Sequence, residues 1–105
     1  MDKREALTRD EALELVRRYK AVIRPRFDVE PRVLMFGSYS KGNAKADSDI
    51  DVAVIVPTYG DRKFEISKNL WHDVDQVSLL IEPVLMADDR QSPLYDDVMR
   101  TGISV

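Results

Sequence analysis

Cysteine is absent from the 105 residues, which excludes disulfides and thiolate metal sites and fits a reducing cytosol. Long apolar runs are missing too, and no stretch approaches the roughly 18–20 apolar residues of a membrane span. The N-terminal MDKREALTRDEALELV is charged and has no apolar core, so no signal peptide is expected and the cytoplasm is the expected location. An excess of positive charge is also lacking. The formal net charge is −3, which argues against generic nucleic-acid binding through phosphate neutralisation. Histidine occurs once, at His72, so it has no second imidazole to share a metal with, and exposure is the simpler reading.

What is present is an ordinary globular composition, 44% hydrophobic and 33% charged, in a length that suits one domain spanning residues 1–105. Charge is uneven: residues 1–32 hold nine Lys/Arg against seven acids, and residues 33–105 hold seven against twelve. A basic first helix could meet an acidic partner, but a solvated face explains it as simply. Thr8 and Glu11 have capping-box spacing, and Ala12, Leu15, Val16, Tyr19, Val22 and Ile23 then recur at helical period. Pro25 should stop or kink this helix.

Val33 to Phe36 reads as a buried strand ended by Gly37, and residues 49–56 as a second strand closed by Pro57. Ile66, Leu70, Val74 and Val77 mark a second helix with Trp71 on its flank. Leu79 to Met86 reads as a third strand, with Pro83 requiring an edge or bulge. Ser92-Pro93 predicts a helix start, Gly102 its C-cap, and Ile103 to Val105 a short last strand. Strands alternating with helices predict an α/β (α+β) fold, with no internal repeat or linker.

The chemistry concentrates in residues 36–56, FGSYSKGNAKADSDIDVAVIV. Gly37 and Gly42 have P-loop spacing, but Asn43-Ala44 stands where that motif needs Lys and then Ser or Thr. Asp47, Asp49 and Asp51 alternate as in a calcium loop, but Val52 and Thr58 occupy the positions that require Gly and Glu. A two-carboxylate metal site on a strand survives. Residues i and i+2 of a strand share a face at about 3.3 Å per residue, so Asp49 and Asp51 aim together. Two like charges there favour a divalent cation, and hard oxygen ligands suit magnesium. Gly37 allows a sharp turn close to a ligand, while Ser38 offers a hydroxyl and an N–H suited to phosphate. Lys41 and Lys45 could add positive charge. On residue types alone, a merely flexible turn remains the competing reading.

The segment GSYSKGNAKADSDID resembles the signature of the DNA-polymerase-β-like nucleotidyltransferase superfamily, in which Gly-Ser, ten residues and Asp-x-Asp follow one another. Here the ten are Tyr39 to Ser48. The finer pattern is similar to the minimal nucleotidyltransferases, the MntA-like antitoxins of HEPN/MNT toxin–antitoxin pairs. The resemblance implies a nucleotidyltransferase fold, a small mixed sheet with helices mainly on one face. It also implies transfer of a nucleoside monophosphate from an NTP to a hydroxyl. By the same resemblance Gly37 and Ser38 hold the triphosphate, with Tyr39 and Lys41 at the nucleotide. Asp49 and Asp51 ligate two Mg²⁺ ions, and a third carboxylate completes the metal site and serves as base.

Glu82, the only acid within Val77 to Ala87, is the candidate for that third carboxylate. It departs from the family's habit of an Asp between β-branched residues, and a rim glutamate on an edge strand is the alternative. Asp88 and Asp89 read as a solvated turn. Tyr39 suits either the nucleotide pocket or a lid over the core, and Trp71 either packing or a partner anchor.

The length leaves no room for an acceptor domain, so the acceptor is expected on another chain or in a shallow cleft. In HEPN/MNT pairs, transfer of AMP from ATP to a tyrosine of the HEPN toxin neutralises it. The resemblance therefore implies this antitoxin role, with a HEPN-domain protein as partner. Two alternatives are a non-catalytic antitoxin acting by contact and a nucleotidyltransferase acting on a small molecule or an RNA end.

Overall fold

The computed structural model describes residues 5–105. Helix α1 (Arg9–Ile23) begins at the expected capping box. The Thr8 hydroxyl accepts the Glu11 N–H at 3.0 Å, and the Glu11 carboxylate accepts the Thr8 N–H at 2.8 Å. Two of the helix's orphan donors are thereby satisfied. Ala12, Leu13, Val16, Tyr19 and Ile23 form its buried stripe. Pro25 ends the α-helix as its missing N–H requires, and the chain tightens into a 3₁₀ turn over Arg24–Arg26.

Four strands follow in a mixed sheet: β1 (Arg32–Phe36), β2 (Ile50–Val56), β3 (Ile81–Ala87) and β4 (Ile103–Ser104). Their spatial order is β3-β2-β1-β4. β1 pairs antiparallel with β2 and with β4, whereas β2 and β3 run parallel. A parallel pair needs a crossover, and helix α3 (Lys63–Asp73) supplies it. The single-turn helix α2 (Ser38–Lys41) sits between β1 and β2, and α4 (Tyr95–Thr101) between β3 and β4.

Side-chain alternation along the strands divides the core in two. Val33, Met35, Ile50, Val52, Val54, Ile81 and Leu85 face α1 and α3. Leu34, Phe36, Ala53, Ile55 and Met86 face the other way, where α4 brings Tyr95 and Val98. Each fully buried aliphatic side chain contributes about 1.5–3 kcal/mol, so the face with the two long helices is the larger anchor.

Pro83 lies on β3, an edge strand, where a missing ladder donor is tolerated. One expectation shifts, the start of α4, while Gly102 keeps its expected place as the C-cap. Tyr95 N donates to the Ser92 carbonyl at 3.1 Å and Leu94 N to the Ser92 hydroxyl at 3.3 Å, so Ser92-Pro93 opens a turn and α4 starts at Tyr95. Gly102 is the C-cap residue but has an extended backbone; a Cβ there would strike the Val98 carbonyl, so glycine is required by close approach. Trp71 is 50% exposed and thus only partly packed.

Candidate active site

The order of strands brings three chain segments to one end of the sheet. β1 leaves it at Phe36, while β2 and β3, being parallel to each other and antiparallel to β1, enter there. In register, Phe36 stands opposite Asp51, and Asp51 opposite Glu82. Asp51 and Glu82 have the parity of Ala53, Val84, Ile55 and Met86, so they point to the α4 side of the sheet. Asp49, two residues before Asp51, shares that side, and its carboxyl meets that of Glu82 within hydrogen-bonding reach. The pairing of β2 with β3 therefore unites the acids of the Asp-x-Asp segment with Glu82, 31 positions further along the chain.

These acids face one another without a compensating protein cation at contact distance. Among the described residues no ion pair involves Asp49, Asp51 or Glu82. Burial, and then the Asp49 carboxylate, raise the proton affinity of Asp51, while the charge of Lys41 partly offsets them. Glu82 is raised as well, first by burial and then by the Asp49 carboxyl and the charges of Asp51 and Asp49. Like charges forced together resist ionisation, and a cation relieves both penalties.

The donor set fits magnesium by its chemistry. All three groups are hard oxygens, but among the described residues no three acidic or imidazole side chains stand together closely enough to hold an ion, so the expected three-carboxylate metal site is not assembled as the side chains lie. Magnesium binds through one or two carboxylates and keeps other positions for water and substrate phosphates. An open, one-sided acidic surface matches that habit better than it matches a calcium cage.

Gly37 forms the opposite wall. Its φ of 74° and ψ of −148° lie where side-chain-bearing residues are strained, and a Cβ on it would overlap the Asp51 carboxylate oxygen. The positive φ demands glycine at this position, and a Cβ would in addition force the Asp51 side chain to move. The turn that follows is α2, with Ser38 as its first residue. The N–H groups of this first turn have no preceding carbonyls to accept them. The Ser38 hydroxyl makes no hydrogen bond among the described residues, whereas Ser40 ties back to the Gly37 carbonyl at 3.0 Å. Ser38 is therefore the member of the pair free to meet a ligand.

Tyr39 corrects the nucleotide-contact expectation for its side chain. It is 3% exposed, packs in the α1–α3 core, and its hydroxyl accepts the Leu7 N–H at 3.3 Å. Position 39 can offer a ligand its backbone only, because the side chain anchors α2 to the start of α1. Lys41 lies at the end of α2, close enough for its charge to act on Asp51. Lys45 is exposed in a turn closed by its own N–H to the Ser48 hydroxyl at 2.8 Å. Asp47 is exposed in that same turn, and His72 is exposed on α3.

Two residues that sequence reasoning missed support this corner. Arg9 donates from Nη2 to the Ser40 carbonyl at 3.0 Å and from Nε to the Tyr39 carbonyl at 3.4 Å, clamping the end of α2. Asp97 on α4 pairs with Lys41 at 3.4 Å. Nothing local in the sequence signals either contact, since they join positions 30–31 and 56 residues apart.

A cavity of about 260 Å³ lies at the other end of the sheet, between Arg26, Val29, Val56, Arg62 and Asn69. On its wall, Arg26 is already committed to Asp73 through two bonds of 2.5 and 2.8 Å. It lacks the convergent acids that the Gly37–Asp51–Glu82 end brings together.

Comparison with known proteins places this geometry. The sequence profile of the family described as "Nucleotidyltransferase domain" matches residues 16–93. The chain is 26% identical over 102 residues to a Methanocaldococcus jannaschii protein named "Putative protein adenylyltransferase MJ0141", covering 90% of this chain and 99% of the relative. Among solved structures it resembles a "putative nucleotidyltransferase" from Sulfolobus solfataricus with a TM-score of 0.65 and 15% identity, over 91% of this chain and 80% of the other. It also resembles a variant form of the toxin–antitoxin MntA-HpeT with a TM-score of 0.50 and 21% identity, over 95% and 72% of the two chains. At these identities the two structures speak to the shared fold. Because the profile runs from the middle of α1 to beyond β3, through the Gly-Ser turn and the whole parallel pair, the chain belongs to the nucleotidyltransferase domain family.

Proposed function

We propose that this nucleotidyltransferase transfers AMP from ATP, with Mg²⁺, to a hydroxyl of a partner protein, a tyrosine of a HEPN-domain toxin, and so acts as its antitoxin. The observation that carries the reading is the placement of Asp49, Asp51 and Glu82 on one side of the sheet beside the Gly37–Ser38 turn. A protein acceptor is supported by the name of the Methanocaldococcus jannaschii relative, and a toxin partner by the fold shared with MntA-HpeT.

Asp49 and Asp51 would hold the metal, with Glu82 at its edge. Bound there, magnesium supplies positive charge to the oxygens that attack and leave during in-line displacement at the α-phosphorus. The protein's own part is positioning. Ser38 presents its hydroxyl and N–H to triphosphate oxygens, and Lys41 adds a flexible positive charge at the rim. Gly37 keeps the phosphate chain close to Asp51 by having no side chain. Glu82, whose proton affinity is raised, accepts the proton of the attacking hydroxyl as its bond to phosphorus forms and the bond to pyrophosphate breaks.

The deciding experiment is intact-mass measurement of a HEPN-domain partner, encoded beside this chain, after incubation with the chain, ATP and Mg²⁺. A gain of one or more AMP units, lost when Asp51 is changed to Asn, is the expected result. A tight complex that neutralises the partner without any mass gain overturns the catalytic reading in favour of inhibition by contact.

A further inference from the structure

Lys41 stands between two acidic surfaces. On one side is Asp51: the Lys41 N–H donates to the Gly37 carbonyl at 3.0 Å, and Gly37 lies directly against the Asp51 carboxylate. On the other is Asp97 of α4, whose Oδ2 lies 3.4 Å from Lys41 Nζ. The carbonyls at the end of α2 are already taken by Arg9, so Lys41 is not needed as a helix cap. The second oxygen of Asp97 is not idle either: Oδ1 receives Arg100 Nη2 at 3.3 Å, and the Asp97 carbonyl accepts the Thr101 hydroxyl at 2.8 Å. Asp97 is therefore fixed on α4 and carries two cations at once.

We infer that Asp97 is a positioning residue for nucleotide binding: it holds Lys41 off the metal-binding carboxylates and hands it to the incoming triphosphate. The argument rests on the magnesium–nucleotide reading of the Gly37–Asp51–Glu82 site. A lysine on a flexible four-carbon stem near crowded carboxylates can turn toward them as readily as toward Asp97. Paired with Asp51, it would occupy an oxygen that the metal needs and would have to be displaced before loading. Asp97 provides a competing partner on the far side.

The Lys41–Asp97 pair is itself partly exposed, with 41% and 29% of the two side chains open to solvent. Such pairs contribute only about 0.2–1 kcal/mol, so releasing Lys41 to a phosphate costs little. Arg100 stays on Asp97 when Lys41 leaves, and no carboxylate is stranded.

The test is binding of a non-hydrolysable ATP analogue to the full chain, titrated with Mg²⁺, with thermal melting of each variant as a fold control. Asp97→Asn is expected to raise the Mg²⁺ concentration at half-saturation and the Kd of the analogue by about three- to fivefold, the scale of one partly exposed ion pair. Asp97→Glu, which keeps the charge, is expected to recover most of that loss. In a Lys41→Met background, Asp97→Asn is expected to have no further effect on binding, because of its two cation partners only Lys41 reaches the nucleotide. A general structural role would instead weaken both backgrounds equally. Binding by the wild type with Asp97→Asn within twofold of it, or additive losses in the double variant, overturns this inference alone. Failure of the wild type to bind the Mg²⁺–analogue pair overturns the site reading and this inference with it.

Discussion

Gly37 and Asp51 share one small volume: the space a side chain at position 37 would fill is held by the Asp51 carboxylate. Gly37→Ala therefore carries two costs. The positive φ is strained by about 1–2 kcal/mol for a residue with a Cβ, and the methyl pushes Asp51 from its position. The expected outcome is a modest fall in melting temperature with loss of the ATP- and Mg²⁺-dependent stabilisation. A variant that melts lower but retains the full ligand increment would show that Asp51 does not need this approach.

Asp51 also gives a signed dependence on pH. Its carboxyl, like that of Glu82, binds its proton more tightly in the folded chain than in the unfolded one. The folded state thus holds more protons across the interval above the ordinary carboxylate range. Stability from these groups is fully present below that range and is lost as pH rises through the raised values. Asp51→Asn removes one ionising partner, so its melting temperature in the absence of metal should exceed that of the wild type by a margin that widens as pH rises through this interval. A margin that is flat or narrows with pH contradicts the crowding of the carboxylates.

Much of this site was legible in the sequence because its two halves are local. Gly37-Ser38 and Asp49-Ile50-Asp51 lie within fifteen consecutive residues, and a strand's period of two already puts both aspartates on one face. The strands, α1 with its capping box and the crossover helix were legible for the same reason, as short-range periodicity. What could not be read is non-local. Pairing of β2 with β3 sets Glu82 opposite Asp51, and no pattern around Glu82 states that register. By its place between Ser38 and the aspartates, Tyr39 suited a nucleotide pocket and a lid over the core equally. Its direction is fixed instead by one helical turn that sends the ring into the core and the hydroxyl to Leu7. The start of α4 was misplaced because a Ser-Pro pair signals a turn and a helix alike.

The far end of the sheet provides a control on what is structural. Asp73 is 1% exposed and takes two bonds from Arg26, whose own side chain is 37% exposed, and a longer one of 3.4 Å from Gln76 Nε2. Arg26→Met leaves a buried carboxylate without its cation, a mechanism that costs about 3–5 kcal/mol in fully buried pairs and about 2 kcal/mol where one partner is partly solvated. The expected outcome is a clear drop in denaturation midpoint, with the Mg²⁺–ATP increment in melting temperature preserved. Loss of that increment in a variant still folded at the assay temperature would tie this end of the sheet to the active site.

On the proposed function, variants at Glu82 distinguish metal binding from proton transfer. It stands across from Asp51 in register, touches the Asp49 carboxyl and holds its proton more tightly than an ordinary glutamate. Those properties suit a group that takes the acceptor's proton, while the metal would fall to Asp51, on β2, and Asp49, immediately before that strand. Glu82→Gln keeps the shape and removes the base, so kcat for AMP transfer should fall by about a hundredfold or more, the usual scale of general-base loss. The affinity for Mg²⁺ with a non-hydrolysable ATP analogue should change only severalfold. Glu82→Asp shortens the reach by one methylene but preserves the base, and should recover part of kcat without altering affinity. If Glu82→Gln instead abolishes Mg²⁺-dependent nucleotide binding, Glu82 is a primary metal ligand. The proton must then be taken by one of the aspartates or by solvent.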